Sequence, residues 1–137
     1  MQERNDRLHG FTDGILPAMC PSRTVLDHVT SKWGVLVIIA LSQRTLRWGE
    51  LRRVVEGISE KMLAQTLRVL ETDGFVHRDA HATIPPRVDY SLTDRGRELA
   101  ARLLPLMDWI AANADEILTP SQRPRTGLPT AIAASLD

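Results

Sequence analysis

The chain has 137 residues, of which 43% are apolar, enough for one domain with a packed core. Seventeen basic residues balance seventeen acidic ones, which excludes a generic polyanion binder with a wholly basic surface but leaves room for a local basic face. The single cysteine, Cys20, excludes an intrachain disulfide scaffold.

The N-terminus, "MQERNDRLHGF", is polar and lacks the apolar stretch of a signal peptide. The longest apolar run, Trp33–Leu41, is too short to span a bilayer. Together these predict a cytoplasmic protein with no membrane partner. Residues 1–19 read as an N-terminal arm, with a turn of helix near Ile15–Met19. A helix follows at "CPSRTVLDHVTSKW", where Pro21 suits the first helical position. "KWGVLVIIALSQ" is apolar almost all round, the pattern of a buried helix. "TLRW" reads as a short extended piece. "GELRRVVEGIS" is a third helix, with Leu51, Val54 and Val55 predicted inward and Arg52 and Arg53 outward.

Gly57 fits a C-terminal turn, and Ser59 is a good N-cap for a fourth helix from about Glu60 to Asp73. On that helix Met62, Leu63, Leu67 and Leu70 recur at helical spacing and predict a core face. Lys61, Gln65, Arg68 and Thr72 form a polar stripe on the opposite side. Gly74 stops the helix. Two extended segments follow, "FVHRDAH" and "RVDYSLT", joined by the proline-containing linker "ATIPP", which predicts a stiff hairpin tip. Thr93 can cap a last long helix, "DRGRELAARLLPLMDWIAANADEIL". Its apolar stripe includes Leu99, Leu103, Leu106, Ile110 and Ile117, and Pro105 is expected to kink it. Residues 119–137, rich in Pro, Thr and Ser, read as a flexible tail.

This order is the layout of a winged helix-turn-helix: mainly α with a small β-hairpin. In such a fold the outer side chains of one helix meet base edges in the major groove, and the hairpin reaches neighbouring backbone or minor groove. On that reading Gln65 and Arg68 pair with bases and Lys61 lies beside them. Ser59 suits a phosphate at the helix start. Arg52, Arg53, Arg78, His81 and Arg87 lie near the DNA backbone. A solvated helix face would carry the same stripe, and Arg68 could instead pair with Glu71 or Thr72. Fifteen of the seventeen basic residues are Arg. Arg suits phosphate and guanine, although a GC-rich genome would produce the same bias.

Three stretches resemble the HxlR-type transcriptional regulators: "CPSRTVLDHVTSKWGVLVIIAL", "LRWGELRRVVEGISEKMLAQTLRVLETDGFVHR" and "IPPRVDYSLTDRGREL". The likeness covers about residues 20–110. Thr30-Ser31 stands where Gly-Gly is usual, Trp48 where Phe is usual and Asp89 where Glu is usual. The resemblance implies a homodimeric DNA-binding regulator whose terminal helices pair the two chains, acting on a two-fold double-stranded operator as a repressor. The wide apolar stripe of the last helix implies a dimer independently.

Cys20 directly precedes Pro21 at a helix start. The helix dipole there favours a thiolate, and Arg23 lies one turn on. The resemblance implies that Cys20 can sense oxidants or electrophiles. A packed, inert cysteine fits the same position, and a small-molecule effector in place of thiol chemistry stays open. So does a winged-helix module that binds proteins and never reads DNA. His77, Asp79 and His81 alternate along one strand, but an exposed hairpin face commonly carries such residues, and neither a metal nor a cofactor is expected. No catalytic set stands out, so an enzyme is not expected. Trp33, Trp48 and Trp109 read as core or interface aromatics.

Overall fold

The computed structural model describes residues 19–124. The arm's expected turn of helix, apart from Met19, and the tail beyond Pro124 lie outside the described residues. Helices α1 (Pro21–Thr30) and α2 (Lys32–Gln43) come first. Strand β1 (Leu46–Arg47), α3 (Trp48–Val54) and α4 (Glu60–Thr72) follow, then the hairpin β2 (Val76–His81) and β3 (Arg87–Leu92), and finally α5 (Asp94–Ile117). The architecture is mainly helical with a small antiparallel sheet, a winged helix-turn-helix.

The boundaries follow from local chemistry. Ser31 ends α1 in extended backbone and caps α2 by accepting from the Gly34 amide at 3.1 Å, so the two helices meet at a bend of 68°. Ser59 caps α4 through the Met62 amide, and Thr93 caps α5 through the Gly96 amide. Gly74 ends α4 with a φ of 80°, a conformation that costs a residue with a Cβ but not glycine. Among the described residues no single helix is long and apolar enough to cross a membrane.

Helix α2 is the centre of the core. Val37 and Ile38 are wholly buried, and Leu46, Leu51, Leu63 and Leu70 close around them from β1, α3 and α4. Trp33 and Trp48 pack at the edge of this cluster. Val54 departs from its expected inward position and is half-exposed. Helix α3 ends at Val54, and Val55 leaves helical geometry with ψ 78°, so helical periodicity no longer sets the direction of these last residues. Val55 itself is buried.

The short extended piece is a true sheet strand. β1 pairs antiparallel with β3, Leu46 opposite Tyr90 and Arg47 opposite Asp89, to give the order β1-β3-β2. Trp48 belongs to α3 rather than to this strand; the Glu50 carboxylate accepts from the Arg47 amide at 3.1 Å and starts the helix there. α5 runs as one element with Pro105 inside it.

Candidate nucleic-acid interface

Helix α4 has two faces of opposite character. Leu63, Thr66, Leu67 and Leu70 are buried against α2, and Met62 is half-buried at the edge. Lys61, Gln65, Arg68 and Thr72 are all exposed on the other side, as the spacing requires. Among the described residues Lys61 and Arg68 make no ion pair, so neither Glu71 nor Thr72 holds Arg68. A bidentate base contact needs such a side chain, presented by a rigid helix without an internal partner.

Around this face the other sequence-derived candidates fall into two groups. Ser59 Oγ accepts from the Met62 amide, and its hydroxyl proton is still available to a phosphate oxygen. Arg53 is exposed beside Arg47 and Gly49 in a shallow cleft at the start of α3. Arg52 is not free. Its guanidinium donates to Glu60 at 3.1 Å, an exposed pair between α3 and α4 that a phosphate can displace at little cost.

The hairpin candidates do not act as one set. Cross-strand register puts Arg78 opposite Tyr90, on the face toward the core, though the Arg78 side chain itself is exposed. His81 pairs with Arg87 and Asp79 with Asp89 on the other face. There a polar cluster forms around Asp89, whose side chain is only 15% exposed. Arg87 donates to it from Nη2 at 2.9 Å and from Nε, His81 Nε2 lies 3.0 Å away, and Arg47 Nε approaches from β1 at 3.8 Å. Asp79 reaches His81 at 3.4 Å. The Arg87 hydrogen bonds hold the Asp89 carboxyl below the usual carboxylate range, with His81 adding to the effect. Asp89 in turn raises the Arg87 guanidinium above its ordinary value.

Arg87 and His81 are therefore oriented by Asp89, while the Arg87 side chain stays exposed. Sequence reading missed Asp89 and Arg47 as members of this cluster. The signal for Asp89 was present: Arg87 and Asp89 are two residues apart on a strand and must share a face. Nothing local in the sequence announces Arg47, which arrives only through β1–β3 pairing. An open groove of about 620 Å³ lies between this cluster, Trp48 and the hairpin tip at Ile84 and Pro85.

Cys20 is the N-cap of α1 and is half-exposed. Its thiol is held below the ordinary value, first by the Ser22 backbone amide, then by the Ser22 hydroxyl, with the Arg23 amide adding less. The Ser22 amide and hydroxyl are its main causes, and the Arg23 guanidinium is not among them.

The model of the HxlR-like helix-turn-helix family matches residues 28–118 of this chain. The HTH-type transcriptional regulator YtfH of Escherichia coli K12, itself uncharacterised, is 52% identical over 99 residues, covering 72% of this chain and 79% of that protein. The solved structure of YtfH from Salmonella typhimurium matches with a TM-score of 0.73 and 46% identity, over 80% of this chain and 98% of that one. The redox regulator HypR in its oxidised form matches with a TM-score of 0.64 and 37% identity, over 69% of this chain and 97% of that one. With fold, motif order and relatives in agreement, the chain belongs to the HxlR-like helix-turn-helix family, whose members are transcriptional regulators and not enzymes.

Proposed function

We propose that this regulator binds a two-fold operator as a homodimer in the cytoplasm and represses transcription by occupying that DNA, with α4 in the major groove. In this reading Gln65 and Arg68 read base edges with Lys61 beside them, and Ser59 and Arg53 hold phosphates. Arg52 exchanges its Glu60 partner for phosphate, and the hairpin residues Arg78, His81 and Arg87 lie along the neighbouring backbone. The observation that carries it is the exposed Lys61–Gln65–Arg68 stripe, without ion-pair partners among the described residues, on a helix whose other face is locked in the core.

The homodimer is supported by apolar side chains on the two terminal helices. Val25 and Leu26 of α1 and Leu106, Trp109, Ile110 and Ile117 of α5 are each at least 41% exposed. Large apolar side chains left exposed on these two helices are the surface that a second copy would cover. Pairing through these helices sets two copies of α4 about 34–36 Å apart, one turn of DNA, on one face of the duplex.

We further propose that modification of Cys20 weakens operator binding by changing that spacing. Its amide-stabilised thiol and the likeness to a redox regulator support this. A single small shift that unseats one α4 loses the gain from linking two half-site contacts.

Selection of bound sequences from random DNA, with reduced and with diamide-treated protein, tests the whole reading. Arg68→Ala is expected to cost roughly 1–3 kcal/mol on the selected site and to relax preference at one position. Arg53→Ala is expected to weaken all sequences alike and to lower the salt slope by about one. Unchanged sequence preference in Arg68→Ala refutes base reading by α4. Equal binding by wild type and Cys20→Ser under diamide refutes the thiol input.

A further inference from the structure

Helix α1 is held to the molecule unusually lightly. It has no fully buried residue; Val29 packs partly against the core, while Val25 and Leu26 face out. Among the described residues a single side-chain hydrogen bond joins α1 to an element beyond α2. His28 Nδ1 lies 2.6 Å from Asp73 Oδ2, both side chains mostly withdrawn from solvent. At that distance the imidazole and the carboxyl share one hydrogen bond.

Asp73 is no ordinary surface carboxylate. It is the C-cap of α4, and its amide donates to the Val69 carbonyl at 3.0 Å. Its own carbonyl accepts from Arg95 Nη1 of α5 at 2.9 Å, and the next carbonyl, Gly74, accepts from the Thr93 hydroxyl at 2.5 Å. The end of α4 is thus gripped from one side by α1 and from the other by the start of α5. α4 is about 20 Å long at 1.5 Å per residue, so a tilt of about 5° at Asp73 moves its Lys61 end by roughly 1.5 Å.

We infer that the His28–Asp73 contact is a positioning link, through which a displacement of α1 reaches the C-terminal end of α4. The inference rests on the proposed reading for its purpose, since α1 and α4 are there the dimer-forming and DNA-reading helices. Its mechanics are independent of DNA. Coupling of this kind is reciprocal: whatever biases α1 biases α4, and a ligand held by α4 biases α1 by the same free energy.

The experiment uses the full chain and Cys20 as a chemical handle at the far end of α1. Amide hydrogen exchange of the last turn of α4, Val69 to Asp73, is measured before and after alkylation of Cys20 with N-ethylmaleimide. Wild type is expected to change its exchange there by about threefold or more. In His28→Ala, and in Asp73→Ala, which leaves no acceptor for the imidazole, that change is expected to vanish, while Cys20→Ser shows none. The link is refuted if α4 of the wild type is unmoved, or if the change persists in both variants. No DNA enters the measurement. A protein that transmits the change yet selects no DNA sequence keeps the link and loses the operator reading.

Discussion

The two halves of α5 carry the same kind of sequence and meet opposite fates. From Asp94 to Leu104 the apolar residues lie in the chain's own core: Gly96, Ala100 and Leu103 are buried and Leu99 packs against them. From Pro105 to Ile117 the stripe continues at the same spacing, yet Trp109 is 58% exposed and Ile117 59%. Helical periodicity states which residues share a face. It does not state what covers that face. The first half has α2 and the β-sheet beneath it; the second extends past the end of the core and, on the dimer reading, waits for a second copy.

The two halves are expected to fail in different ways. The largest effect is expected at Gly96. A Cβ there would stand 2.1 Å from the Phe75 carbonyl oxygen, a backbone atom that cannot swing aside. Gly96→Ala should therefore destabilise the fold by roughly 3 kcal/mol or more, read as a fall in the urea midpoint. An unchanged midpoint would mean that α5 does not pack this closely on the start of the hairpin.

Trp109→Ala should leave the urea transition of the domain cooperative but weaken association by about 2 kcal/mol or more, as for a central aromatic anchor. Sedimentation equilibrium checks this; a variant that associates like the wild type removes the second half of α5 from the interface. Leu26→Ala on α1 should act in the same direction by only about 1 kcal/mol, because a half-exposed side chain has less area left to bury. Its failure to affect association would leave α5 to pair alone. Ending the chain at Pro124 should change neither stability nor association by more than about 0.5 kcal/mol, since the residues beyond carry no periodic apolar face. A clear loss of dimer in that truncation would contradict the assignment of the interface to the helices.

Much of the fold was legible because its signals are local. Ser59 and Thr93 announce helix starts through side chains that reach amides three residues on, and Gly74 announces a stop through its backbone freedom. The exposed side of α4 followed from period alone. Val54 was misplaced because α3 is too short for its period to hold to the end. Within the hairpin, sequence grouped Arg78, His81 and Arg87 as basic residues, whereas the register divides them between two faces and ties two of them to Asp89.

The amino-acid sequence by itself determined the order of elements, the core face of α4 and the Lys61–Gln65–Arg68 stripe, because hydrophobic period, caps and turns act over a few residues. Only the tertiary structure decided which charges are engaged and which remain available. Arg47 meets Asp89 across β1 and β3, and His28 meets Asp73 across 45 positions of chain. Such contacts arise from the packing of whole elements against α2, and no spacing within a segment encodes the distance between two of them.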